Sequence, residues 1–164
     1  MGWHQEKLHS MVMPLCKFKL ELDMKTMDSS LQAFEEGRFE IDTSLAHEHI
    51  LCVKFLGQWE IQIAENFADS LHQQAMQTVA KTPWGVVNDL RDWGLCTPEV
   101  MSYFIEKLQT FADINLRWHA VIPNNQVHNL LIDKVYHGGS HMMMANQYFG
   151  DMESALDWLR GEIT

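Results

Sequence analysis

Hydrophobic and polar positions change period several times along the 164-residue chain, and each change marks an element. Phe39, Ile41 and Thr43 alternate with Arg38, Glu40 and Asp42, the period of a strand buried on one side. After a polar turn at Ala46-His47-Glu48, the run Ile50 to Leu56 is apolar almost throughout, which predicts a strand covered on both faces and ended by Gly57. Ala64, Phe67, Ala68, Leu71, Ala75 and Val79 then recur at three and four residues, a helical stripe that stops before Thr82-Pro83. Trp84, Val86, Val87 and Leu90 predict the next strand, which should end where Asp89, Arg91 and Asp92 crowd charge onto it.

Thr97-Pro98-Glu99 reads as a helix start, with Thr97 as N-cap, Pro98 where its missing N–H costs nothing, and Glu99 facing the positive dipole end. Met101, Phe104, Ile105, Leu108, Phe111 and Ala112 carry that helix towards Asn115, and Leu116 to Ile122 form a strand stopped by Pro123. Val127, Leu130, Leu131 and Val135 predict a helix broken at Gly138-Gly139, and Met142 to Phe149 a last strand. Asp151 caps a closing helix whose apolar face is Ala155, Leu156, Trp158 and Leu159. This order predicts an α/β domain with a mostly parallel sheet of about five strands and four helices: two opening strands, then repeated strand–helix units.

The domain is expected over residues 37–164. Residues 1–36 read as an N-terminal extension of uncertain order. Phe18, Leu20, Leu22 and Met24 alternate with charged neighbours there, so the stretch either adds an edge strand or stays outside the core.

Charge narrows the function classes. The formal net charge of −10 repels phosphate backbones and anionic lipid surfaces, which excludes nucleic acid and peripheral membrane binding. The acidity itself reads as a solubility feature. Cys16, Cys52 and Cys96 are odd in number and lack a C-x-x-C pair, which fits a reducing compartment. No apolar stretch approaches a membrane span and the first residues lack the order of a secretory signal, so a cytoplasmic protein is expected. No cofactor or metal motif stands out: His47-x-His49 and His137-Gly138-Gly139-Ser140-His141 lack a third ligand and read as ordinary turns.

Several short motifs occur in a shared order. They are Gly57-Gln58-Trp59, Trp84-Gly85, Asp89-Leu90-Arg91-Asp92-Trp93, Thr97-Pro98-Glu99 and Phe149-x-Asp151-x-x-x-Ala155-Leu156-x-Trp158-Leu159. Together with the element order they resemble the STAS-like, SpoIIAA-like family of small bacterial proteins over Arg38 to Ile163. The resemblance implies a cytosolic, non-enzymatic regulatory module that docks to another protein through the loop before its second helix. In switching antagonists of that family, a phosphorylatable serine follows an aspartate at the helix start. Here the region reads Leu95-Cys96-Thr97-Pro98, without serine or adjacent aspartate. A further relative of the architecture carries hydrophobic ligands, so the alternative is a carrier of a hydrophobic or lipid-like small molecule between sheet and helices.

The candidate partner-binding residues are Asp89, Arg91, Asp92, Trp93, Cys96, Thr97, Glu99 and Trp59. Trp59 and Trp93 stand beside loops and read as interface anchors, while Trp118 and Trp158 read as core. Asp89, Arg91 and Asp92 read as a solvated loop with an ion pair. Cys96 could be activated by the following helix N-terminus but reads more simply as a small apolar residue. For the carrier alternative, Phe104, Trp118, Met142 and Met144 are the candidate wall of an apolar pocket of roughly 300 Å³ or more.

Overall fold

The computed structural model describes residues 36–138 and 144–164. Its elements are β1 (Arg38–Asp42), a 3₁₀ turn at Ala46–Glu48, β2 (Ile50–Trp59), α1 (Ile61–Thr78), β3 (Trp84–Cys96), α2 (Pro98–Asp113), β4 (Leu116–Ile122), α3 (Gln126–Gly138), β5 (Ala145–Tyr148) and α4 (Met152–Ile163). The strands form one sheet in sequence order, with β1 antiparallel to β2 and every other pair parallel. This is the mixed α/β architecture expected from the alternation of periods.

Because the sheet grows in one direction, three parallel connections of one hand deliver their helices to one face. Ala64 and Phe67 of α1, Val100 and Leu108 of α2, and Ile132 and Val135 of α3 all pack into one core with Leu51, Val53, Val86 and Val121 from the sheet. The other face is covered by α4, whose Ala155 and Leu159 meet Ile50, Val87, Ala120 and Ile122. A Cβ at Gly85 would stand 2.7 Å from Leu159 Cδ2, so α4 lies almost directly on the β3 backbone. Val53 and Val87 sit on adjacent strands, both buried, and point to opposite cores.

Strand ends differ from the sequence expectation. β3 does not stop at the charged residues but runs to Cys96, held by pairing with β2 out to Trp59↔Cys96. Gly57 does not end β2 either. It adopts φ 64, which a residue without Cβ tolerates, and the register shifts between Gly57 and Trp59 as the strand continues. Charge at a strand end signals a change of cover rather than an end of pairing.

In α3 the anticipated stripe is rotated: Val127 and Leu130 are exposed, whereas His128 is buried with Ile132 and Val135. The last strand begins at Ala145, later than expected, and residues 142–143 lie outside the described residues. So do residues 1–35, and with them the alternation at Phe18 to Met24.

Val87→Asp tests this frame. Val87 is fully buried between β3 and α4, and an unpaired polar group there should cost on the order of 5 kcal/mol, comparable to the whole stability of a domain. Loss of the cooperative melt by circular dichroism is expected; a soluble, cooperatively folding variant would contradict the placement.

Candidate functional site

Two groups of polar residues occupy the C-terminal half of the sheet, one charged and exposed, the other neutral and buried. The charged group starts at Asp89, where β3 makes its last pairing with β4. Asp89 is buried, and its carboxylate accepts from Arg91 Nε at 2.9 Å, Arg91 Nη2 at 2.7 Å and the Arg91 backbone N–H at 3.1 Å. Hydrogen bonding from Arg91 holds the Asp89 carboxyl below its ordinary range. Beside it, Lys54 on β2 pairs with Asp92 at 2.7 Å, both side chains partly exposed.

Beyond the last β4 pairing, Leu90 to Cys96 is bonded to β2 alone and leads straight into α2. Thr97 caps that helix as the sequence predicts, accepting from the Val100 N–H at 3.4 Å, with Pro98 in the first turn. Such a cap contributes about 1 kcal/mol. Glu99 is exposed in the same turn. Arg91, Asp92, Thr97, Pro98 and Glu99 thus lie exposed within one short stretch.

Two expected partner contacts are corrected. Trp59 is 1% exposed and Trp93 3%, so neither is an interface anchor. Trp59 stacks on Phe55 with ring centroids 4.5 Å apart and meets Phe39 and Phe67 edge-on, while its Nε1 donates to the Leu56 carbonyl at 3.0 Å. The continuation of β3 turns Trp93 inward to the same aromatic cluster, 5.6 Å from Phe55. Trp118 and Trp158, expected as core, are instead only partly buried against the α4 core. Cys96 is half-buried, and loss of solvent pushes its thiol up to about 11, which leaves it protonated and unreactive near neutral pH.

The pocket residues are also redistributed. Phe104 lines a cavity of about 70 Å³ between the sheet and the three-helix layer, and Met144 packs against that layer's core. Trp118 belongs to the opposite face, because the alternation of β4 sends it with Ala120 and Ile122 towards α4. Met142 lies outside the described residues. The cavity falls far short of the several hundred cubic ångströms that a long acyl chain needs.

Sequence reasoning missed what this cavity contains. Asn88 on β3 and His119 on β4, 9% and 6% exposed, line it and hydrogen-bond to each other through Asn88 Nδ2 and His119 Nε2. The far atoms of the pair, Asn88 Oδ1 and His119 Nδ1, have no hydrogen-bond partner among the described residues. The same holds for Trp93 Nε1 and the Tyr136 hydroxyl, whose residues also line the cavity. Burial pushes the His119 imidazole down to about 3, so the ring is neutral. A signal was available: Asn88 and His119 interrupt the apolar runs of two successive predicted strands.

No group of three or more metal-ligating side chains occurs among the described residues. None of the described helices is long and apolar enough to cross a membrane.

No family model matches the chain, and no curated protein matches it in sequence. Solved structures do. An uncharacterised protein of the DUF3478 family with a SpoIIAA-like fold, from Shewanella loihica, superposes with a TM-score of 0.59 at 16% identity, over 78% of this chain and 98% of that one. The anti-sigma factor antagonist SpoIIAA in its unphosphorylated form superposes with a TM-score of 0.53 at 10% identity, over 75% and 96% of the two chains. The chain has a SpoIIAA-like fold.

The neutral His119 makes stability pH-dependent. The unfolded chain takes up a proton near the ordinary value of 6.5, and the folded chain does so only near 3. Stability is therefore complete above about 6.5 and falls as the pH drops, by about 1.4 kcal/mol per unit for this one group. His128, also pushed down chiefly by burial, adds a loss of the same sign. Urea titrations at pH 7 and pH 5 should show the wild type losing about 2 kcal/mol more than His119→Asn; equal losses would contradict a buried neutral His119.

Proposed function

We propose that the domain is a non-enzymatic regulatory module that docks to another protein through the end of β3 and the start of α2. One observation carries the reading: Leu90 to Cys96 extends beyond the β4 pairing and presents exposed Arg91 and Asp92 directly before the exposed Thr97, Pro98 and Glu99. Charged side chains on a rigid strand and a capped helix start hold a fixed geometry at small entropic cost, which favours specific docking. The fold similarity to SpoIIAA, an anti-sigma factor antagonist, supports the same class of role.

In this reading Thr97 acts as a structural cap and docking needs no modification. Arg91 is spent on Asp89 rather than available to a phosphate, and Pro98 removes an N–H donor from the first turn. Neighbouring Asp92 and Glu99 would repel a dianion.

The test is paired surface variants. Asp92→Lys with Glu99→Lys changes exposed side chains only, so the melting temperature should move by no more than a few degrees. Crosslinking and mass spectrometry in the native host should recover a specific protein with the wild type and with Lys134→Glu on α3, but not with the double variant. Unchanged capture by the double variant, or no specific protein with the wild type, would overturn the docking face.

A further inference from the structure

A core polar pair that satisfies only half of its hydrogen-bonding capacity is costly, because each buried donor or acceptor left unmade loses about 1–3 kcal/mol. Asn88 and His119 form such a pair. Their strands are otherwise apolar here, with Val86, Val87, Leu90, Ala120, Val121 and Ile122 all buried, and a leucine or phenylalanine at either position would avoid the cost. Of the six buried side-chain atoms without a partner among the described residues, Asn129 Oδ1 and Asn146 Oδ1 belong to residues outside the cavity lining and the other four to residues within it. Asn88, His119, Trp93 and Tyr136 line one cavity, whose remaining wall is Phe55, Phe67, Leu108, Phe111 and other apolar side chains. Tyr136 and Lys107, both half-buried, lie where α2 and α3 meet and mark the rim.

The chemistry of the pair specifies what it would receive. A neutral imidazole carries one proton. If Asn88 Nδ2 donates to His119 Nε2, that proton sits on Nδ1, and the pair presents Asn88 Oδ1 as acceptor and Nδ1–H as donor. With the amide turned over and the other tautomer, it presents the amide N–H as donor and Nδ1 as acceptor. Either arrangement offers one donor and one acceptor, with no charge. The Trp93 indole N–H and the Tyr136 hydroxyl add a donor and a hydroxyl.

Size sets the second limit. A cavity of about 70 Å³ holds about five waters at roughly 10–15 Å³ each, so an organic occupant has about five non-hydrogen atoms. We propose that the cavity between β3, β4, α2 and α3 is a binding site for a small neutral molecule with a short aliphatic body and one amide-like donor–acceptor group, held by Asn88 and His119. The site is independent of the docking face, whose charged residues are not among those lining it.

Propionamide is the probe, and 2-methylbutane, which keeps its size and shape and lacks the amide, is the comparator. With the full-length protein, propionamide should raise the melting temperature in a concentration-dependent way and shift the His119 imidazole nitrogen resonances. 2-Methylbutane should bind about tenfold more weakly or worse, the value of one hydrogen-bonded pair. Asn88→Leu should abolish this preference, and Tyr136→Phe, a milder change, should weaken propionamide less than Asn88→Leu does. Equal binding of both probes by the wild type would mean a plain apolar hole, and binding of neither would mean a cavity filled only by water; each overturns the proposal. Should Asn88→Leu fail to fold, the wild-type His119 resonances decide: signals unmoved by saturating propionamide overturn it as well.

Discussion

A strand with no solvent-facing side has nowhere to put a polar group without a partner, and β3 is such a strand from Trp84 to Leu90. Its alternate side chains enter two separate cores, Trp84, Val86 and Leu90 under the three helices and Val87 under α4. Burying each of these side chains contributes about 1.5–3 kcal/mol, so the strand that joins both layers also carries much of the stability. The charged residues at its far end are the other side of the same constraint. Once β4 ceases to pair at Asp89, the strand regains water, and Arg91 and Asp92 emerge while Trp93 still turns inward.

Period and breakers made most of this architecture legible. Thr97 and Asp151 cap the helices that their sequence context predicted, and Leu116 and Ile122 bound β4 as expected. What was not legible was how far pairing outlives burial. β3 runs to Cys96 and β2 through Gly57 because their mutual hydrogen bonds persist where the apolar pattern lapses, and local composition does not encode a neighbour's reach. The tryptophans were misassigned for a related reason: proximity to a loop in sequence says nothing about which face a strand residue takes, and Trp59 and Trp93 take the inner one. His128 replaced Val127 and Leu130 in the core of α3 because its ring lies against Trp93 and accepts the Asn124 N–H, contacts that a hydrophobic stripe does not foresee.

Fold similarity and site geometry speak to different questions here. The SpoIIAA-like fold fixes where a strand end meets a helix start and leaves open what meets it there. At that junction Arg91, Asp92, Thr97 and Glu99 are exposed, while Cys96 is held protonated and Asp89 is engaged by Arg91. The chemistry that calls for a small molecule lies instead inside the domain, on the buried part of the same strand.

The central claim is that β3 is the strand on which both layers depend, and hydrogen exchange under native conditions tests it most directly. Amides of Val86 to Leu90 should be the slowest in the domain, exchanging only through global unfolding, with protection falling off over Arg91 to Cys96, where β2 is the only paired strand. Exchange of Val86 to Leu90 at the rate of the exposed helix ends, or a slowest-exchanging core located away from β3, would contradict the account.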